Sequence, residues 1–195
     1  RNTTDAAAPV HRVTDTLVTA GDAGLVPVDL DWVVDNWDTW TCDLWEDAQG
    51  YDFFWSAYTA RAALVVGAEL VGRLGQASAA DRYRQAAAAI EATLPKYYQE
   101  GVITEAPGRP LDGALLPALN AGGLGDGTLS PLSDLVLSTV ERLINFFCAE
   151  YPLNRADTAA GVPGVLIGRY QGDAYAGGNP WILLTASLAE LVYRQ

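Results

Sequence analysis

Asp43-Leu44-Trp45-Glu46-Asp47 sets three carboxylates and an indole within five residues, and Gly50 and Phe53-Phe54-Trp55 follow. Carboxylates this close raise one another's proton affinity, and a tryptophan that keeps water from Glu46 pushes the same way. A general acid working near neutral or mildly acid pH needs that shift. Such a stretch also suits sugars, whose apolar C–H faces stack on rings while their hydroxyls seek carboxylates. Trp32, Trp37, Trp40, Trp45 and Trp55 crowd this part of the chain. A plainer reading is a solvated acidic turn between helices, with the aromatics as ordinary core. A calcium loop fits less well, because the alternating acids and central glycine of such loops are absent.

A second constellation comprises Gly168-Arg169-Tyr170, then Asp173, Tyr175 and Gly177-Gly178-Asn179-Pro180-Trp181. Arginine offers a fork of donors to sugar hydroxyls or to a carboxylate, and Asn-Pro-Trp starts a helix with an indole at its mouth. Taken alone, it reads equally as a surface loop running into a helix. Other chemistries find little support. His11 is the single histidine, which nearly excludes a histidine-rich zinc site or a Ser-His-Asp triad. Cys42 and Cys148 are too few for a thiolate metal site and read either as one bridge or as two small thiols. Gly122, Gly123, Gly125 and Gly127 lack the spacing of a phosphate-binding fingerprint and read as a linker.

The elements that must carry these residues are helical almost throughout. Val10, Val13, Leu17 and Val18 predict a first helix after Pro9, and a second is expected to start near Asp29 as its cap. Residues 38–52 show no sustained period and read as an ordered loop. A long helix is expected from about Phe53 to Leu74, ended by Gly75, and another from a Ser78 cap to about Leu94. A short strand or turn within 101–108 and a short helix over 111–119 follow. Ser130-Pro131 predicts the start of the next helix, 151–176 reads as a loop, and a last helix starts near Asn179-Pro180-Trp181. Nothing alternates strand with helix, so a doubly wound sheet is unsupported. The expected class is all-α, with residues 1–195 as a single domain.

Composition agrees with a packed globular protein: 50% of residues are hydrophobic and 18% charged. The formal net charge of −12 repels phosphate backbones and anionic lipid, so neither nucleic acid nor a membrane surface is an expected partner. The chain starts at Arg1 and contains no methionine, so its first residue is not an initiator and any signal peptide is expected to lie outside it. Asn2-Thr3-Thr4 is an acceptor pattern for N-glycosylation.

Taken together, the two constellations resemble a family. The segment Asp29 to Ala68, with DLDWVVDNW, DLWED, a glycine and FFW, is similar to the segment around the general acid of fungal and yeast glucoamylases, glycoside hydrolase family 15. GRYQGDAYAGGNPW, Gly168 to Trp181, resembles that family's second sugar-binding segment, in the same order and at a comparable separation. LDGALLPAL and LSPLSDLVLSTVERLINFF align with helices between them, so the resemblance covers most of the chain from Asp29 onward.

The resemblance implies a central portion of an (α/α)6 barrel, a six-hairpin toroid of inner and outer helices. It implies exo-acting hydrolysis of α-1,4-glucan or malto-oligosaccharide from non-reducing ends, with release of β-glucose by inversion, no metal or cofactor, and a secreted setting. Glu46 takes the general acid's place. Asp43 and Trp45 fall on supporting positions, Asp47 where the family has a second glutamate, and Arg169, Asp173, Tyr175 and Trp181 on sugar-binding and supporting positions. The family's catalytic base lies downstream of the Asn-Pro-Trp motif, so the remainder of the same catalytic domain is an expected partner. Its upstream Arg-Asp segment is mimicked by Gly108-Arg109-Pro110-Leu111-Asp112-Gly113, which lies on the wrong side of the acid and reads as a chance likeness. A non-catalytic glucan-binding module is the alternative from another class. A hydrolase of a different α-glucoside, such as a trehalase, keeps the fold and changes the substrate.

Overall fold

The computed structural model describes residues 24–195. The expected first helix, the Asn2 acceptor site and His11 lie outside the described residues. Chain contacts divide the molecule into two compact units, one of residues 24–38 with Ala60–Glu91, the other of Thr39–Thr59 with Ala92–Gln195.

The first unit holds α1 (Leu25–Asn36), the later part of α2 (Phe54–Arg73) and most of α3 (Ala77–Thr93). Helix α1 starts four residues before Asp29, with Gly24 in extended geometry at its N-cap and no side-chain cap. Pro27 is tolerated there because first-turn N–H groups lack helical partners in any case. Asp29 is therefore an exposed residue inside the helix, not its cap. Leu30 packs directly against Gly67, whose missing side chain makes the room. The core of this unit is Leu64, Ala68, Val71, Ala80, Tyr83, Ala87 and Ile90. Tyr83 donates its hydroxyl hydrogen to Asp31 at 2.7 Å, and the buried Arg61 pairs with Glu91 at 2.8 Å. Helix α3 begins at Ala77, so Ser78 sits within its first turn, and Asp81 pairs with Arg84 at 2.8 Å.

The second unit opens with the loop expected between helices. A two-residue ladder, β1 (Thr41–Cys42) against β2 (Gln49–Gly50), pinches it into a hairpin. After α3, a 3-10 turn at Leu94–Tyr97 leads into β3 (Tyr98–Gln99) and β4 (Val102–Ile103), joined through Glu100 and Gly101, both at positive φ. Then come α4 (Leu115–Gly122), α5 (Asp134–Glu150), α6 (Pro152–Ala159) and α7 (Ile182–Tyr193). Ser133, not Ser130, caps α5 by accepting from the Val136 N–H at 3.4 Å, while Ser130 shapes the preceding turn. Helix α6 falls where a loop was expected. Helix α4 packs on α7, and α5 packs on both β4 and α6. Leu115, Leu116, Leu119, Val136, Leu143, Phe147, Ile167, Leu184 and Leu191 fill the core between them. Cys42 and Cys148 are both free thiols, and no described helix is long and apolar enough to cross a membrane.

Candidate active site

Both sequence constellations lie in the second unit, and a third segment joins them. The first is the hairpin loop between β1 and β2. Asp43 turns inward: its Oδ1 accepts from the Asp47 N–H at 2.9 Å and the Ala48 N–H at 3.2 Å. Its Oδ2 meets Arg109 Nη1 in an ion pair, with the carboxylate fully buried. Trp45 donates its indole N–H to Asp112 Oδ1 at 2.9 Å. Glu46, between these anchored neighbours, points outward with φ 59°. Its carboxylate has no hydrogen bond or ion pair to any described residue. A left-handed backbone at a non-glycine costs on the order of 1–2 kcal/mol and persists only where the surroundings impose it. Here they do, because the residues on both sides of Glu46 are tied down.

The second loop runs from Gly168 to Trp181 and is fastened at its start. Trp181 N–H donates to Ile167 O at 2.8 Å, and Ile167 N–H to Thr185 Oγ1 at 3.1 Å on α7. Gly168 lies so close to the Tyr151 ring that any side chain would collide with it. Arg169, with only 4% of its side chain exposed, holds the loop from within. Its Nε and Nη2 donate to the two oxygens of Asp173 at 3.0 and 2.6 Å, and its Nη1 stands 2.8 Å from Asp47 Oδ2 on the first loop. The same Asp47 oxygen accepts the Tyr170 hydroxyl at 2.6 Å. Four rings surround the guanidinium: Trp45, Tyr170, Tyr175 and Trp181, each centred 4.8–5.6 Å from its carbon. Trp45 meets Trp181 edge-on at 5.8 Å, and Tyr175 tilts against Trp181 at 6.0 Å. Tyr175 keeps 61% of its surface exposed, so the platform has an open side.

Electrostatics follow this geometry. The bidentate bond to Asp173 raises Arg169 well above its ordinary range, and the same bond lowers the Asp173 carboxyl. The hydrogen bond to Asp47 pushes the Tyr170 phenol up to about 12. The desolvation expected of Glu46 is not where burial acts. Glu46 is exposed, whereas Asp43 and two carboxyls not anticipated as part of the site, Glu105 and Asp112, are buried. Burial, with the neighbouring Asp112 charge behind it, raises Glu105 well above the usual carboxylate range. Burial likewise lifts Asp112 to about 6, against the lowering effect of the Ala114 N–H and Arg109. The three carboxylates of the motif do not crowd together either, since Asp43 and Asp47 each neutralise an arginine.

The third segment, residues 105–113, contains the Gly108–Gly113 stretch read as a chance likeness. It reaches both loops. Glu105 caps the start of α2, its carboxylate accepting from the Trp55 N–H at 3.2 Å and its carbonyl from the Phe54 N–H at 2.8 Å. Arg109 lies between Asp43 and Asp112, with its guanidinium 4.6 Å above the Tyr170 ring. Asp112 Oδ2 stands 2.9 Å from Arg109 Nη2, close enough for an ion pair but off the axis of a hydrogen bond, and it receives none. Gly113 N–H donates to Arg169 O at 2.5 Å, and Gln171 N–H to Leu111 O at 3.2 Å. The sequence signal for this role was Arg and Asp beside small residues just before an apolar helix. Nothing local ties that pattern to residues some sixty positions away in either direction.

Of the remaining tryptophans anticipated at the site, Trp40 packs edge-on against Tyr51 at 5.1 Å and bonds Gln49, while Trp55 sits in the first turn of α2. Trp32 and Trp37 belong to the other unit. No group of His, Cys, Asp and Glu with metal-holding geometry occurs among the described residues.

Comparison with known proteins fits this arrangement. The family model described as Glycosyl hydrolases family 15 matches residues 6–195. Glucoamylase 1 of Rhizopus oryzae is 31% identical over 180 residues, covering 85% of this chain and 29% of that protein. The glucoamylase of Blastobotrys adeninivorans is 29% identical over 182 residues, with the same coverage of 85% and 29%. The solved structure of a glucoamylase from Saccharomycopsis fibuligera superposes with a TM-score of 0.75 at 26% identity, over 85% of this chain and 37% of that one. The chain thus spans less than a third of the length of these two curated relatives. The expected all-α class, part of an (α/α)6 barrel, agrees with this match.

Proposed function

Because the chain belongs to glycosyl hydrolase family 15, a glycoside hydrolase family, we propose that it forms part of an exo-acting α-1,4-glucan hydrolase that releases β-glucose from non-reducing ends with inversion. Glu46 is the general acid that protonates the glycosidic oxygen. One observation carries this reading: among the described residues, Asp43 and Asp47 each have ion-pair partners and the Glu46 carboxyl has none. Asp43 and Asp47 are bound by Arg109, Arg169 and Tyr170, while Glu46 is held at a left-handed backbone position with its carboxyl open. Asp47, Arg169, Tyr175 and Trp181 form the sugar platform beside it, with rings to stack on C–H faces and charged groups to bond hydroxyls. Trp45, Asp43 and Asp173 support them.

Inversion needs a second carboxylate, roughly 6.5–9.5 Å from the acid, to activate water on the opposite face of the sugar. Glu105 and Asp112 do not serve, because both are buried beneath the loop and already engaged. The base belongs to further helices of the same catalytic domain. The apolar face of α7 supports such a neighbour, with Ile182 91% and Tyr193 93% exposed. The substrate is a neutral glucan chain or malto-oligosaccharide, and the setting is extracellular. A glucan-binding module without turnover is the second reading, favoured by a complete sugar platform without an assigned base.

Proton NMR of maltoheptaose mixed with the intact protein separates these readings. Early accumulation of β-glucose supports inversion, and α-glucose appearing first would overturn it. Glucan binding without any glucose release would select the binding module.

A further inference from the structure

Segment 105–113 holds two residues that flank Glu46, Asp43 and Trp45. From one side, Asp112 holds the Trp45 indole at 2.9 Å. From the other, Arg109 holds Asp43, whose second oxygen in turn binds the backbone N–H groups of Asp47 and Ala48. The residues at 43, 45, 47 and 48 are thus all fixed, directly or through one intermediary, by one guanidinium and one carboxylate. The same segment carries the Arg169 loop on its backbone, through Gly113 to Arg169 and Leu111 to Gln171. Asp112 is fully buried, and its Oδ1 accepts a further bond from Ala114 N–H at 2.8 Å. Arg109 keeps 20% of its side chain exposed. A buried carboxylate with one oxygen left without a hydrogen bond is costly, and its retention calls for a role.

We propose that Asp112 and Arg109 are positioning residues, acting through Trp45 and Asp43 to keep Glu46 in register with the Arg169–Trp181 platform. The inference rests on the reading of Glu46 as the general acid. An acid displaced by a fraction of an ångström still permits sugar binding but protonates poorly, so the loss falls on kcat and spares KM.

The test compares Asp112→Ala, Asp112→Asn and Glu46→Gln in the intact protein, following turnover of maltose and the NMR signal of the Trp45 indole N–H, assigned with Trp45→Phe. Asp112→Ala is expected to lower kcat about 30–100-fold with KM within about threefold of wild type, and to shift the indole signal. Asparagine keeps an acceptor for Trp45 and Ala114 but loses the charge facing Arg109. It should restore the indole signal and recover about tenfold of the kcat. A folded Asp112→Ala protein with wild-type kcat, or with an unmoved indole signal, overturns the inference. Should the alanine variant fail to fold, an Asp112→Asn protein whose indole signal is lost overturns it equally. Retained turnover in Glu46→Gln would instead refute the acid assignment, and the indole shift in Asp112→Ala would then still report the bond on its own.

Discussion

Glu46 and Asp112 are carboxylates of the same compact unit in opposite surroundings. Asp112 is sealed from solvent, accepts two hydrogen bonds, faces an arginine, and is lifted to about 6 by burial. Glu46 is exposed, its carboxylate has no partner among the described residues, and its backbone is strained. The buried group has every feature often sought in a catalytic acid except access. The exposed group has access and little else of its own. The charges that desolvation perturbs build the scaffold, and on the proposed reading the exposed carboxylate that the scaffold carries is the one that acts.

This contrast can be broken first where the scaffold is most charged. Arg169→Met leaves Asp173, 2% exposed at its side chain, without its partner. Removing one partner of a buried pair should cost about 3–5 kcal/mol, read as a lowered urea midpoint. Gly113→Ala comes next, because a Cβ there would overlap the Gly168 carbonyl, which is backbone and cannot swing away. A loss of about 2–3 kcal/mol is expected by thermal or chemical denaturation.

A smaller effect follows from the titration of Asp112. Its folded-state value of about 6 lies above its ordinary 3.8, so the folded protein binds this proton more tightly than the unfolded chain does. The stability from that proton is full below about pH 4 and is lost as pH rises through about 6. The loss amounts to about 2–3 kcal/mol, and Glu105 adds to it in the same direction. Asp112→Asn should flatten this part of the stability profile; an unchanged slope between pH 4 and 6 would show that Asp112 does not titrate there. At the small end, Arg142→Gln loosens an exposed pair with Glu100 at 3.8 Å. The expected change is within about 0.5 kcal/mol, and a larger one would blur the distinction between buried and surface charge.

How far the sequence disclosed this site depends on how local each feature is. Arg169, Asp173, Tyr175 and Trp181 lie within one short loop, and Asp43, Trp45 and Asp47 within another, so both clusters were legible as motifs. That both loops serve one site was implied only by the family resemblance, and their meeting through Arg169 and Asp47 was not anticipated. Glu105, Arg109 and Asp112 were not legible, because a charge declares its burial only once its partners sixty residues away are in place. Helix α6 was missed for a related reason: its one buried residue is Asn154, which bonds Phe147 O and both the N–H and carbonyl of Leu166, so it presents no apolar stripe. The long α2 and its glycine stop were plain, since Gly75 takes the left-handed geometry that ends a helix. The caps of α1 and α5 were misplaced by three to five residues. The residue whose backbone turns extended is Gly24 in α1, five before Asp29, and Ser133 in α5, three after Ser130.

The central claim is that Glu46 donates the proton. Its most direct test is Glu46→Gln in the intact protein, measured side by side for glucose release from maltose and for glucan affinity. The account predicts a fall in turnover of about 10³-fold or more, with affinity within about threefold of wild type. Near-wild-type turnover in that variant would contradict it.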